Sequence, residues 1–162
     1  MITIGKHKSN RRIVREKVLQ VLYAYYFNSE GIDHLFDTVF EDIPDGPDRD
    51  FGRSLVNKVI INWKKYDLEL ESNVQNWIIE RIAILDLIII KMGLAEIKEF
   101  PEIPPKVTIN ECIEIAKAFS TSDSGKFVNG ILDRFHGDLK KSDKLNKSGL
   151  GKIDKPAKRN RG

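Results

Sequence analysis

VTINECIEIAKAFSTSDSGKFVNGILDRF, from Val107 to Phe135, carries the pattern that decides the fold. Ile109, Cys112, Ile113, Ala116 and Phe119 recur at three- and four-residue spacing, which marks one apolar face of a helix. Ser120 to Gly125 interrupts the pattern with small and polar residues. Phe127, Val128, Ile131, Leu132 and Phe135 then resume it. The stretch predicts two amphipathic helices joined by a polar hinge, with Asp123 opening the second. Thr108 and Glu111 stand at capping-box spacing, so each is expected to satisfy the other's backbone donor at the start of the first. Cys112 reads as a small hydrophobe on the apolar face.

Upstream, Phe100 to Lys106 (FPEIPPK) ends a helix before its prolines. From Ile78 to Ile97 the chain is apolar nearly all round, as in a helix buried among others. Asp86 and Lys91 are the exceptions, and each needs a partner there. Phe51, Leu55, Val59 and Trp63 keep helical spacing, which slips near Asp67 and continues through Leu70, Val74, Trp77 and Ile78. Both tryptophans fit core positions. Ile43 to Asp50 (IPDGPDRD) reads as a loop. Before it, Ile32, Leu35, Phe36, Val39 and Phe40 share a face of a short helix, preceded by Gly31 in a left-handed cap. A longer helix, capped by Asn10 or Ser9, carries Val14, Val18, Val21 or Leu22, and Tyr25 to about Phe27. Residues 1–10 are polar and expected to be mobile. No alternating strand pattern or internal repeat occurs, so the expected architecture is all-α, with about seven helices. After Gly137 the composition is too polar to fold alone, giving a domain at 1–137 and a basic disordered tail at 138–162.

Charge is unevenly placed. Residues 1–17 hold six Lys/Arg against one acid, and residues 138–162 hold nine against three. The whole chain carries only +3, so the segment between is acidic. Basic ends on an acidic body point to an anionic partner, nucleic acid first. Arg11, Arg12 and Arg15 sit in the first turns of a helix, where cations oppose the dipole, a local cost consistent with a ligand-binding use. Cys112 is the single cysteine and His7, His34 and His136 are scattered, so neither a disulfide nor a metal centre is expected. Ser148 to Lys152 (SGLGK) lacks the spacing and the following Ser/Thr of a phosphate loop. No catalytic constellation appears, and neither cofactor nor enzymatic activity is expected. The longest apolar run, Ile82 to Ile90, contains Asp86 and is far short of a membrane span. The expectation is a cytoplasmic protein without a membrane partner.

Two stretches together resemble the NusB family of bacterial transcription antitermination factors. One is Asn10 to Glu16 (NRRIVRE) with Leu19 to Tyr23 (LQVLY). The other is Ile109-Asn110-Glu111, Ala116-Lys117, Phe119 and Lys126 to Asp133 (KFVNGILD). Asn76-Trp77 and Ala95-Glu96-Ile97 fall where that family has similar residues, so the resemblance covers roughly residues 10–135. It implies a fold of two small helical bundles, of three and four helices. It also implies binding of boxA-type single-stranded RNA of ribosomal RNA operons, with the ribosomal protein NusE, in a complex that includes NusA, NusG and RNA polymerase.

By position, the resemblance makes Arg11, Arg12, Arg15, Tyr23, Phe119, Asp123 and Phe127 RNA-binding residues. It makes Asp86, Asp123 and Phe127 partner-binding. On this reading the hinge holds Phe119, Asp123 and Phe127 beside the arginines. Tyr23 and Phe127 also lie on apolar faces, where a core role is equally compatible with their spacing. Two positions depart from the family pattern: Lys91 stands where Arg is usual, and Ile13 where a further arginine is common. Two alternatives keep the fold. One is a helical adaptor that binds only protein. The other is the RNA-binding part of a ribosomal RNA methyltransferase system, whose cofactor-binding half would be a separate chain.

Overall fold

The computed structural model of the chain describes residues 9–154. Lys6, Lys8 and residues 155–162, included in the two basic ends, lie outside the described residues, as does most of the polar start expected to be mobile. Seven α-helices occur, and no strand is found among the described residues. The fold is all-α, as the periodicity predicts. The chain divides into two compact units, Met1–Asn57 and Lys58–Gly162.

The first unit contains α1 (Asn10–Phe27), α2 (Ile32–Val39) and most of α3 (Pro47–Ile61). Ser9 caps α1, its hydroxyl accepting from the Arg12 amide at 3.2 Å. Val14, Val18, Val21 and Leu22 are buried along α1, which packs on α2. Gly31 takes the left-handed conformation (φ 67°) that turns the chain into α2. The Phe36 and Phe40 rings stack at 4.1 Å. Arg49 ties the α2–α3 connection together by donating to the Phe40 and Ile43 carbonyls and to Asp37. The loop expected through Asp50 stops earlier, because Pro47 has the preset φ of a first helical residue. Asp48 and Asp50 then complement the dipole of α3 in its first turn.

The second unit contains α4 (Trp63–Asn73), α5 (Ile84–Glu99), α6 (Pro105–Phe119) and α7 (Ser122–Lys141), with short 3₁₀ turns at Ile79–Arg81 and Gly149–Lys152. The break in the third periodic stretch falls at Asn62 rather than Asp67. Asp67 stays helical and serves as the partner of Lys91. α5 is the buried centre, with Asp86 through Ile97 all inside and α4, α6 and α7 packed against it. The apolar helix expected from Ile78 begins only at Ile84. Gly93 permits the close packing, since a Cβ there meets Leu132 Cδ1 at 2.7 Å and Cys112 Sγ at 3.3 Å. Lys91 is fully buried, its ammonium 2.5 Å from Asp67 and 3.5 Å from the centre of the Trp63 ring. It also donates to the Trp63 carbonyl at 3.1 Å. The Lys91 departure therefore concerns the core that joins α4 to α5.

The capping box at Thr108 does not form. Pro105 occupies the first helical turn and opens α6 three residues earlier. Thr108 is buried, and its hydroxyl donates to the buried Glu96 carboxylate at 3.2 Å.

The chain also stays ordered past Gly137. α7 runs to Lys141, and residues 142–154 fold back onto the α5–α6 connection. The Ser148 amide donates to the Pro101 carbonyl at 3.0 Å. Lys147 donates to the carbonyls of Glu96 and Phe100, at 3.2 and 2.9 Å, at the C-terminal end of α5. Gly151 is buried so tightly that a Cβ would lie 1.9 Å from the Pro101 oxygen. Lys140 pairs with Asp154. Composition misses this segment because backbone contacts and two lysines hold it, with little apolar surface involved.

Candidate RNA-binding surfaces

In the first unit the three arginines of α1 have different surroundings. Arg11 is about two-fifths exposed, pairs with Asp48 at 2.9 Å and lies 4.3 Å over the Phe51 ring. Arg15 is only 3% exposed, 5.2 Å over the same ring, so its cation belongs to the interior rather than to an open surface. Arg12 is half-buried at the edge of the helix. Lys17 is committed to the α2–α3 loop, donating to the Val39 carbonyl and pairing with Asp42 at 2.9 Å. That hydrogen bond holds the Asp42 carboxyl below its usual range. Ile13 lines an open pocket of about 360 Å³ with Asp42, Asp45 and Asp48. Tyr23, near the other end of α1, is 39% exposed and open to solvent.

In the second unit the hinge is Ser120 and Thr121 alone. Thr121 caps α7, accepting from the Ser124 amide at 3.1 Å. The Ser124 hydroxyl lies 2.9 Å from that of Ser120 and 3.2 Å from that of Thr121, and donates to Asp86 Oδ2 at 3.0 Å. Asp86 is 7% exposed, and its second oxygen is buried without a hydrogen-bond partner among the described residues. A buried carboxylate oxygen left unpaired is costly. Phe119 ends α6 at 37% exposure, and Asp123 is exposed in the first turn of α7. Phe127 is half-buried, stacked on Trp77 at 6.1 Å and nearly parallel to it.

Within each unit, then, the structure brings Arg11 and Arg15 onto Phe51, Asp86 onto Ser124, and Phe127 onto Trp77. Trp77 was expected in the core. Its indole N–H is buried without a partner among the described residues, while its ring supports Phe127. The Ser120–Ser124 pair, which links the hinge to the first turn of α7, was legible only as hinge polarity. The chemistry of the two surfaces suits recognition. Guanidinium groups neutralise phosphates, exposed aromatics stack on bases, and carboxylates accept from base edges or from a partner's donors. Among the described residues no group of three or more His, Cys, Asp or Glu is placed to hold a metal ion, and no helix is long and apolar enough to cross a membrane.

Comparison with known proteins agrees with this arrangement. The NusB family model matches residues 12–137. The chain is 40% identical over 154 residues to the transcription antitermination protein NusB of Chloroherpeton thalassium, covering 94% of this chain and 73% of that protein. It is 38% identical over 147 residues to NusB of Salinibacter ruber, covering 90% and 92%. Among solved structures, NusB of T. maritima superposes with a TM-score of 0.73 at 29% identity, covering 82% of this chain and 94% of that one. A structure of antitermination factors NusB and NusE in complex with double-stranded RNA shares the fold, with a TM-score of 0.71 at 22% identity over 80% of this chain and 97% of that one. A family model spanning most of the chain, relatives near two-fifths identity and a common helical fold lead to one conclusion: the chain belongs to the NusB family of transcription antitermination proteins.

Proposed function

We propose that this antitermination protein binds boxA-type single-stranded RNA of ribosomal RNA operons together with the ribosomal protein NusE. In this reading it joins NusA and NusG on RNA polymerase in the cytoplasm and catalyses no reaction. RNA is contacted by Arg11, Arg12 and Tyr23 in the first unit and by Phe119, Asp123 and Phe127 in the second. Arg15 supports the first surface from inside, through Phe51. Asp86, Asp123 and Phe127 face the protein partner.

The observation that carries the reading is the Asp86–Ser124 pair. A nearly buried carboxylate has one oxygen satisfied by Ser124 and the other unpartnered among the described residues. It lies next in the network to the hinge that presents Phe119 and Asp123. That arrangement suits a docking partner which supplies a hydrogen-bond donor, since the desolvation cost of the second oxygen is already met in the unbound fold. The related NusB solved with NusE and RNA supports the choice of partners.

The test is binding of boxA-type against scrambled RNA, with and without NusE, over a range of salt. Arg12→Ala is expected to weaken binding and to flatten the salt dependence by about 0.7 in slope for the lost phosphate contact. Equal affinity for both RNAs, with NusE present, would overturn the proposal.

A further inference from the structure

At its C-terminal end α1 exposes three aromatic side chains together: Tyr23 at 39%, Tyr26 at 49% and Phe27 at 65%. The Tyr23 and Phe27 rings meet edge-on at 5.0 Å, and those of Tyr26 and Phe27 at 5.2 Å. Packing of the unit buries Val14, Val18, Leu19, Val21 and Leu22 of α1. It leaves these three rings partly or mostly in solvent. Clustered exposed aromatics form an apolar patch of the kind that marks a binding surface. Phe27 is the last residue of the helix, so its ring supports no later turn.

The helical repeat relates this patch to the basic start of α1. At 100° per residue, Arg12, Tyr23 and Phe27 fall within an arc of about 60°. They line one flank of a single rigid helix. Arg12 and Phe27 stand fifteen residues apart, about 22 Å along the axis at 1.5 Å per residue. A cation at one end and exposed rings at the other match the two components of single-strand recognition, phosphate neutralisation and base stacking. We propose that Tyr26 and Phe27, with Tyr23, form a stacking platform for unpaired bases that flank the RNA element bound at the start of α1. The inference rests on the RNA-binding reading above and extends it by naming a second contact zone. A platform of rings is sequence-tolerant, because every base has a π face. It therefore adds affinity for flanking single strand without adding to the choice of sequence.

The full-length chain is titrated with boxA-type RNA, and with the same RNA extended by unpaired nucleotides on either side, some replaced by 2-aminopurine. The wild type is expected to bind one of the extended forms more tightly and to quench the 2-aminopurine at the stacked position. Phe27→Ala is expected to lower affinity for that form by roughly five- to tenfold or more, while binding of the short RNA stays unchanged. The salt slope should not move, since a ring neutralises no phosphate. Phe27→Trp should restore both affinity and quenching. Thermal unfolding of each variant, followed by circular dichroism, is expected to match the wild type, because the ring is mostly in solvent. Extension without gain in the wild type, or an unaffected Phe27→Ala, would overturn the platform and leave the RNA reading intact. So would a Phe27→Ala variant that loses NusE binding alone, which would assign the patch to protein. Failure of the wild type to prefer the short boxA-type RNA over a scrambled one would instead remove the RNA reading itself.

Discussion

The two ends of the chain carry similar positive charge and use it differently. At the N-terminal end, Arg11 and Arg12 sit at the edge of α1, partly exposed beside a pocket lined with acids. At the C-terminal end, two of the described cations, Lys147 and Lys140, hold the last segment to the helices before it. Lys147 reaches back to the last carbonyls of α5, and Lys140 holds Asp154. Charge counted along a sequence measures what is available to a polyanion. What remains available is decided by which carbonyls and carboxylates lie within reach after folding.

The contrast can be tested first by truncation. A chain ending at Gly137 loses the end of α7 and the segment that covers the α5–α6 connection. It is expected to be less stable by about 2–4 kcal/mol, read as a lower midpoint in urea unfolding. A shortened protein for RNA work should therefore retain the chain through Asp154. Next in size is Gly151→Val, whose side chain has no room against the Pro101 oxygen. We expect a loss of about 2 kcal/mol, bounded by the cost of releasing the segment. Lys147→Met removes a cation from two carbonyls at a helix C-terminus and is expected to cost about 1–2 kcal/mol. Combined with Gly151→Val it should add little, because both release the same segment.

A smaller, pH-dependent effect follows from Lys147. Burial lowers its pKa from the ordinary 10.5 to about 8, against the pull of Glu96 and Glu102. Between about pH 8 and 10.5 the unfolded chain holds this proton more firmly than the folded one. The lysine's contribution to stability is thus lowest below about pH 8 and rises through that window. The difference in urea midpoint between wild type and Lys147→Met is expected to grow from pH 8 to 10.5. A difference that shrinks would show that the ammonium is not penalised by burial. At the opposite end, Arg12→Ala is expected to lower RNA affinity, the readout that separates it from Lys147→Met.

Much of the fold was legible in local pattern. The limits of α1, its Ser9 cap, the turn at Gly31 and the stop before Pro101 all follow from side chains acting on neighbouring backbone. Two of the errors at helix starts share one cause. Pro47 and Pro105 each open a helix in a stretch that reads as loop, because proline is tolerated at a first helical position and barred from later ones. The candidate site was legible as residue types but not as exposures. Arg11, Arg12 and Arg15 read alike; Arg11 and Arg15 both lie over Phe51, and only the depth of burial sets Arg15 apart.

The sequence by itself determined the helical class, the helix faces and the family resemblance, because periodicity and short motifs act over a few residues. Tertiary structure alone decided that Thr108 satisfies Glu96, that Asp86 keeps one oxygen unpartnered among the described residues, and that Lys147 closes the end of α5. Each of these depends on polar atoms that are far apart in the chain and meet only when the apolar faces have packed. Desolvation at those meeting points sets the energy of each polar group, and no local pattern encodes it.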